Sequence, residues 1–220
     1  MLRDISNLRK SYSKNSLTEK DLPKDPFFLF DIWFKEVSSK NRKSEVNAMT
    51  LSTIGSSGYP NARIVLLKYY SRDGFVFFTN YNSNKAISID QNNKVSISFF
   101  WEDSERQVII KGMASKTSDD FSTKYFNSRP KGSKLGALVS ENQSSIIKSK
   151  DYIIKKFNKL SNEYFNKEIL RPKNWGGYII KPIQYEFWQG GENRLHDRIR
   201  YRKTDDSWIV ERLSPWLIII

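Results

Sequence analysis

The segment Glu186–Arg198 carries the densest group of residues that could do chemistry. It reads EFWQGGENRLHDR, and its glycine pair allows a backbone conformation or a close approach that side chains would forbid. After that pair Arg194, His196 and Arg198 alternate, so in an extended segment all three side chains would point the same way. Two permanent cations and an imidazole on one face repel one another unless an anion or a polar ring lies between them. A histidine held in the core is the alternative reading of His196.

Three other segments carry cations that could bind a phosphate group. Arg63 and Lys68 stand at the two ends of the apolar run RIVLLK, and Lys85 follows Ser83 and Asn84 where a helix is predicted to begin. The segment KYFNSRP, residues 124–130, brings a phenol and a guanidinium close to Ser133 in the chain. Each combination suits a phosphate group. Taken singly, each is also typical of a strand rim or a helix end with a surface cation.

The counts of two residue types exclude several kinds of chemistry. The 220 residues include no cysteine and one histidine, which rules out disulfide scaffolds, iron–sulfur clusters, thiol nucleophiles and zinc sites built from cysteine and histidine. Any Ser-His-acid arrangement would need His196. The 37 Lys and Arg exceed the 24 Asp and Glu, giving a net charge of +13. That excess fits nucleic acid, an anionic membrane surface, a small phosphorylated ligand, or a lysine-rich solvated surface.

Turn residues and alternating apolar positions predict an antiparallel sheet with inserted helices. Strands are predicted at 48–54, 62–70, 75–79, 94–101, 107–115, 175–188 and 208–213. Helices are predicted from Pro26, with Asp25 as N-cap, at 83–91 with Ser83 capping, from Ser118 to about Arg129, and at 144–165. Consecutive strands are joined by tight turns, so the fold class is mainly β with inserted helices (α+β). A closed antiparallel barrel would remove the exposed edges of such a sheet.

The domain organisation follows from the same pattern. Residues 1–24 form a polar N-terminal segment, and residues 25–215 form a single domain with a helical insertion at about 118–165. Residues 216–220 add a short apolar extension, WLIII. The polar N-terminus has no apolar centre typical of a secretory signal, and no stretch reaches the ~18 apolar residues that span a bilayer. We expect a soluble protein of the cytoplasm, with no membrane partner.

The ordered set of motifs resembles the pyridoxine/pyridoxamine 5′-phosphate oxidase family. The motifs are RIVLLK, FFTN followed by SNKA, ERQV, KYFNSRP, the QSS triplet and EFWQGGENRLHDR, and the resemblance runs from about Leu8 to Pro215. It implies an antiparallel split β-barrel with a smaller helical part. It also implies a homodimer that binds FMN at the subunit interface.

The resemblance implies two sets of contact residues. The FMN set is Arg63, Ile64, Val65, Leu66, Leu67, Lys68, Phe78, Thr79, Asn84, Lys85, Gln107, Gln143, Ser144, Trp188 and Arg198. The substrate set is Arg9, Lys10, Ser11, Tyr12, Lys68, Tyr125, Arg129, Ser133, Arg194, Leu195 and His196. Of these, Arg194 and His196 would position the substrate ring as the catalytic pair, and Arg9 to Tyr12 would form a mobile cover that excludes water.

The implied reaction is the oxidation of pyridoxamine and pyridoxine 5′-phosphates to pyridoxal 5′-phosphate. FMN would accept a hydride from the 4′ carbon of the substrate, and oxygen would reoxidise it to give hydrogen peroxide, with ammonia released from the amine. The protein would supply binding and alignment, which needs no metal and no nucleophilic side chain. Neither a metal nor a nucleic-acid partner is expected.

Three positions depart from the family pattern. Asn84 stands where an arginine is common, so one contact to the cofactor phosphate is expected to be weaker. Ser11 replaces a commonly acidic residue of the N-terminal cover. Residues Trp216–Ile220 extend past the usual end, and we expect them to pack on a surface groove or on the partner subunit.

Two other functions stay open at the level of sequence. One is a related split-barrel flavin reductase or flavin-binding protein without this activity, and the RLHDR and YFNSRP segments argue against it because they belong to the substrate site. The other is a basic β-barrel that binds nucleic acid, which the ordered motifs argue against.

Overall fold

The structure, a computed structural model, describes residues 2–8, 10–40 and 45–215. Within these residues the chain forms nine strands and five α-helices. The strands are β1 (Ala48–Ile54), β2 (Pro60–Leu66), β3 (Tyr69–Ser71), β4 (Gly74–Asn80), β5 (Lys94–Trp101), β6 (Arg106–Lys116), β7 (Trp175–Gln189), β8 (Asp197–Lys203) and β9 (Trp208–Arg212). The helices are α1 (Pro26–Lys40), α2 (Asn84–Gln91), α3 (Asp119–Ser128), α4 (Lys131–Val139) and α5 (Lys150–Glu163).

Hydrogen bonding orders the strands β2-β1-β5-β6-β7-β4-β3, with β8 on β7 and β9 on β8. The two halves of β7 pair antiparallel with different strands: Phe78 of β4 lies opposite Gly177, and Arg198 of β8 lies opposite Trp188. This sheet with its inserted helices confirms the predicted fold class. Of the described residues, no helix is both long and apolar enough to cross a membrane.

The chain divides into two compact units. The first unit comprises Met1–Thr50, Ser96–Lys111 and Pro182–Ile220, and the second comprises Leu51–Val95 and Gly112–Lys181. Four strands, β1, β5, β6 and β7, pass from one unit into the other, so neither unit is a separate stretch of sequence.

Aromatic residues of α1 form the core of the first unit. Phe30 lies 5.3 Å from Phe99 between ring centroids, and Trp33 meets Phe187 edge-on at 5.3 Å. The helix begins as predicted, because the Asp25 carboxylate accepts a hydrogen bond from the Phe27 N–H at 2.9 Å. Beside this core, the buried Arg106 guanidinium of β6 lies 4.4 Å from the centroid of the Trp33 ring of α1. This cation–π contact adds to the packing of α1 on the sheet.

Strand β4 and parts of helices α3 and α4 are buried in the second unit. Phe75 and Phe77 are fully buried. A helical cluster forms around Phe126, Leu135, Ala137, Ile169 and Trp175. The predicted helix start at Ser118 is confirmed within one residue, since Ser118 is the N-cap of α3 and its hydroxyl accepts from the Phe121 N–H at 3.2 Å.

Two predicted elements were wrong in extent. The strand expected at 62–70 is two strands, because β2 ends at Leu66 and β3 begins at Tyr69. Between them Leu67 is buried while Lys68 is exposed, and the Lys68 N–H donates to Val76 O at 2.8 Å. The alternation predicted for the whole run therefore ends at Leu66.

The helix predicted at 144–165 begins later, at Lys150. Ser144 has a left-handed φ of 77°, and the Ser149 hydroxyl accepts from the Tyr152 N–H, which makes Ser149 the N-cap. Ile146, expected on the apolar face, is fully exposed. Helix α4 was not predicted; its two glycines and short length hide the helical period. Strand β8 was also missing from the predicted set.

Two glycines should respond in opposite ways to the same substitution. A Cβ on Gly112 in β6 would lie 2.4 Å from the Lys181 carbonyl oxygen, whereas a Cβ on Gly132 in α4 would meet nothing within 4 Å. We expect Gly112→Ala to lower the free energy of unfolding by about 1–3 kcal/mol, because backbone must move to admit the methyl group. Gly132→Ala should leave it unchanged or raise it by up to about 1 kcal/mol. Denaturant unfolding measures both, and equal effects would contradict the packing of β6 against β7.

Candidate active site

Two cations of the second unit lie together with neutral partners. Lys85 Nζ donates to the Thr79 and Ser83 hydroxyls, both at 3.2 Å. Arg63 NH1 donates to Leu51 O at 3.1 Å and to the Thr53 hydroxyl at 2.8 Å. Burial lowers the pKa of Lys85, and the positive charge of Arg63 lowers that pKa further. An anion bound between the two side chains would relieve both effects.

Helix α2 places Lys85 in this group. Ser83 occupies the N-cap position, but its hydroxyl donates to Asn80 O at 2.7 Å and accepts from no α2 amide, so the predicted side-chain cap is absent. The Asn84 N–H instead reaches the Ser144 hydroxyl at 3.3 Å. The start of α2 and the QSS triplet, 143–145, are therefore joined by a hydrogen bond.

A cavity of about 370 Å³ in the second unit is lined by predicted residues of both sets. Arg129 is the charged group among them. Its guanidinium lies 4.6 Å from the Trp175 ring centroid, and burial lowers its pKa. Among the described residues, Arg129 NH1 is the buried side-chain atom that has no hydrogen-bond partner. A buried cationic N–H without an acceptor fits an anionic ligand. The predicted residues on the wall are Phe78, Thr79, Arg129, Ser133 and Gln143.

The other predicted residues of the second unit lie around these groups. The Tyr125 ring stacks on Phe78, with 3.9 Å between centroids, and burial raises the pKa of its phenol. Tyr125 therefore stays a hydrogen-bond donor at neutral pH. Ile64 and Lys68 are exposed, Val65 and Leu66 are half-buried, and Leu67 is buried.

In the first unit, His196 lies among aromatic rings of two segments. Its ring centroid is 4.9 Å from that of Trp188 and 5.8 Å from that of Tyr12, and the Tyr12 and Trp188 centroids are 5.6 Å apart. The Gly191 N–H donates to His196 Nδ1 at 3.1 Å. Burial lowers the pKa of His196, and Arg194 lowers it further. Because Nδ1 accepts the Gly191 N–H, it carries no proton, and the imidazole has its proton on Nε2.

His196 lines two cavities of the first unit. One, of about 480 Å³, is also bounded by Lys10, Ser11, Tyr12 and Arg194. The other, of about 630 Å³, is also bounded by Gln107, Trp188 and Arg198. The residues named for the first cavity belong to the predicted substrate set and those named for the second to the predicted cofactor set, while His196 lines both cavities.

The predicted common face of Arg194, His196 and Arg198 was wrong. Residues Glu192–Arg194 form a single 3₁₀ turn, Arg194 has a left-handed φ of 63°, and β8 begins only at Asp197. An extended alternation therefore does not reach Arg194. Leu195, also in the predicted set, is 70% exposed.

Arg198 has a partner that the sequence analysis did not assign. The Glu186 carboxylate accepts from Arg198 Nε at 3.0 Å and from NH2 at 2.7 Å. The register of β7 and β8 could have indicated this contact, since Trp188 lies opposite Arg198 and Glu186 is on the same face of β7. Trp175 beside Arg129 was missed too. Predicted positions Arg9 and Trp216–Ile220 lie outside the described residues.

Solved structures show that the fold belongs to the split β-barrel class. PhzG from Burkholderia lata, solved in complex with tetrahydrophenazine-1-carboxylic acid, matches with a TM-score of 0.84 at 23% identity, over 92% of this chain and 100% of that chain. A pyridoxamine 5′-phosphate oxidase-related, FMN binding protein from Nostoc punctiforme matches with a TM-score of 0.68 at 16% identity, over 88% of this chain and 100% of that chain.

Sequence comparisons narrow the class to one family. Residues 39–163 match the family model for pyridoxamine 5′-phosphate oxidase, and residues 175–215 match the pyridoxine 5′-phosphate oxidase C-terminal dimerisation region. The pyridoxine/pyridoxamine 5′-phosphate oxidase of Flavobacterium johnsoniae is 55% identical over 97% of this chain and 100% of its own length. The pyridoxine/pyridoxamine 5′-phosphate oxidase of Flavobacterium psychrophilum is 53% identical over 97% of this chain and 100% of its own length. The chain belongs to the pyridoxamine 5′-phosphate oxidase family.

The single histidine makes the charge state of the site measurable. One imidazole gives one set of ring C–H signals, so NMR titration reports His196 alone. We expect its pKa below the usual 6.5, and we expect Arg194→Ala to raise it because a neighbouring positive charge is removed. Lys203→Ala, on the exposed end of β8, should leave it unchanged. A pKa at or above 6.5 in the unaltered protein would contradict the burial and the neutral tautomer.

Proposed function

We propose that this protein is an FMN-dependent oxidase that converts pyridoxamine and pyridoxine 5′-phosphates to pyridoxal 5′-phosphate. Oxygen is the acceptor, and hydrogen peroxide is released together with ammonia from the amine. The observation that carries the proposal is a pair of cation groups in the second unit. Arg63 with Lys85 is one group and Arg129 is the other, and Thr79 touches both, through its bond to Lys85 and as a wall of the Arg129 cavity. The reaction brings two phosphates, one on FMN and one on the substrate.

The residues present fit FMN. Arg63 and Lys85 are partly desolvated cations whose hydrogen bonds end on neutral oxygens, so a phosphate would compensate both. Gln107 and Trp188 line one cavity and suit the polar edge and the flat face of a flavin ring. When bound, FMN supplies the two-electron oxidation at the 4′ carbon of the substrate.

The chain's own residues bind and orient the substrate. Arg129 and Ser133 share a cavity, where the unpartnered NH1 and the hydroxyl would hold the substrate phosphate; Tyr125 and Lys68 complete that group in the proposal. His196 offers its Nε2–H to the pyridine ring and its oxygen, and Arg194 adds a positive charge on the same cavity. Alignment of this kind can lower a barrier by up to roughly 7–11 kcal/mol.

We further propose a homodimer with FMN at the subunit interface. The matched dimerisation region, 175–215, contains Trp188 and Arg198 of the cofactor set. The cytoplasmic location, the mobility of residues 1–24 and the single domain at 25–215 stay predictions.

Anaerobic mixing with substrate tests the function. The purified protein should be yellow and release FMN on denaturation. Adding pyridoxamine 5′-phosphate without oxygen should bleach the flavin band, because the substrate is oxidised and the flavin reduced, and air should restore the band. A bound flavin that stays oxidised would support a flavin-binding protein without this activity. A colourless protein that refuses FMN and binds RNA with a steep salt dependence would overturn the proposal.

Replacing Arg129 tests the assignment of the substrate phosphate. Arg129→Ala should raise the KM for pyridoxamine 5′-phosphate roughly 10- to 100-fold while FMN stays bound, since a buried charge-assisted hydrogen bond is lost. Lys124→Ala, an exposed cation on the neighbouring turn of α3, is the control and should change KM less than about twofold. Loss of FMN from Arg129→Ala with an unchanged KM would show that the role assignment is wrong.

A further inference from the structure

Glu105 is a buried carboxylate that the predicted site does not use. It lies between β5 and β6, directly after the 3₁₀ turn Glu102–Ser104, and is 2% exposed. Its φ of 54° is left-handed, which is uncommon for a residue other than glycine. A carboxylate loses its hydration on burial, so it persists there only when hydrogen bonds replace the water. The hydrogen-bond partners of Glu105 therefore indicate its structural role.

Those partners are two successive amides of the N-terminal segment. Glu105 Oε2 accepts from the Ser13 N–H at 2.9 Å and from the Lys14 N–H at 3.1 Å. The Lys14 ammonium also donates to the carbonyl oxygen of Asp103 in the same turn. Hydrogen bonds to an ionised acceptor are stronger than those between neutral groups. The side chain of Glu105 thus ties residues 13 and 14 to the loop between β5 and β6.

The backbone carbonyl of Glu105 contacts a second segment, the end of β7. Its carbonyl oxygen accepts from the Gly190 N–H at 2.8 Å and from Gln189 Nε2 at 3.2 Å, at the end of β7. Gly190 adjoins Gly191, whose N–H fixes the His196 tautomer. One residue therefore contacts both segments that bring rings to His196: the N-terminal segment with Tyr12, and the end of β7 next to Trp188.

Tyr12 fits this corner closely. It directly precedes Ser13, and a Cβ on Gly190 would lie 2.8 Å from Tyr12 Cβ and 3.1 Å from Glu105 Cβ. Position 190 therefore has no room for a side chain while Tyr12 is in place. The next fixed point of the segment, the bond from the Leu17 N–H to Asp197 Oδ2, lies five residues after Tyr12 and does not set its ring.

We propose that Glu105 is a positioning residue, which holds Tyr12 against His196 and Trp188 through the amides of Ser13 and Lys14. The effect on turnover rests on the proposed function, whereas the anchoring of the segment does not. Glu102 offers a matched comparison. It belongs to the same turn and pairs with Lys10 of the same segment, but at 3.6 Å and with its side chain 71% exposed, so it should contribute little.

The test compares Glu105→Ala, Glu105→Gln and Glu102→Ala in the full-length protein. Trypsin cleavage after Lys14 reports the anchoring without any substrate. We expect Glu105→Ala to speed this cleavage roughly tenfold or more, because two hydrogen bonds are lost. Glu105→Gln keeps one carbonyl oxygen that can accept both amides but loses the charge, so its cleavage rate should lie between those of Glu105→Ala and the unaltered protein. The cleavage rate of Glu102→Ala should stay within about twofold of that of the unaltered protein. Glutamine at position 105 would have the same left-handed backbone conformation and the same Cβ as glutamate. An effect of Glu105→Ala that Glu105→Gln does not share therefore comes from the lost acceptor and not from backbone strain.

Kinetics then separate positioning from general damage. Glu105→Ala should lower kcat/KM for pyridoxamine 5′-phosphate roughly tenfold with FMN content and Tm nearly unchanged. In a Tyr12→Ala background the same substitution should change kcat/KM less than about twofold, because Tyr12 is the group through which it acts. Equal losses in both backgrounds, or unchanged cleavage after Lys14 in Glu105→Ala, would overturn the proposal. Faster cleavage in a protein that does not oxidise the substrate would instead overturn the proposed function and leave the anchoring in place.

A second variant covers the case in which Glu105→Ala does not fold. Gly190→Ala leaves the carboxylate intact but places a methyl group where Tyr12 lies. It should also speed cleavage after Lys14 and lower kcat/KM. A Gly190→Ala protein that keeps both values would show that Tyr12 is not held at this corner.

Discussion

The antiparallel register of β7 fixes where many of the site residues lie, because each half of this strand has a different hydrogen-bonded partner. In its first half, Gly177 lies opposite Phe78, which lines the Arg129 cavity. In its second half, Trp188 lies opposite Arg198. Side chains alternate along a strand, so Tyr185, Phe187 and Gln189 are buried while Glu186 and Trp188 on the other face are half-buried. A slip of one residue would exchange the two faces.

Several arginines of the described residues are paired with carboxylates, and Arg198 of the predicted cofactor set is one of them. Arg106 meets Glu36, Arg171 meets Asp119, and Arg212 meets Asp197. The described cations that border the proposed phosphate positions, Arg63 and Lys85, bond to hydroxyl and carbonyl oxygens instead. Desolvated cations with neutral partners favour an anionic ligand. Arg63, Lys85 and Arg129, not the whole net charge of +13, carry that argument.

In the first unit, the nearby positive charge of Arg194 disfavours protonation of His196. His196 lies close to Arg194, and a second positive charge would be unfavourable there. The Gly191 N–H donates to Nδ1 and so fixes the tautomer of His196. Gly191 lies two residues after the end of β7. In the proposed reaction His196 would offer a hydrogen-bond donor to the substrate ring without adding a charge, which suits an oxidation in which the cofactor supplies the chemistry and the protein aligns the reactants.

The sequence by itself determined the fold class and most element positions. Asp25 and Pro26 begin a helix through local hydrogen bonding, and short turns between alternating strands specify antiparallel pairing, since both depend on neighbours in the chain. The tertiary structure alone decided the break after Leu66, the left-handed turn at Arg194 and the role of Glu105. The Glu105 carboxylate meets an amide 92 residues away, and no local pattern encodes such a contact. Burial and hydrogen-bond satisfaction are set by the whole fold, so these features appear only once distant segments are packed together.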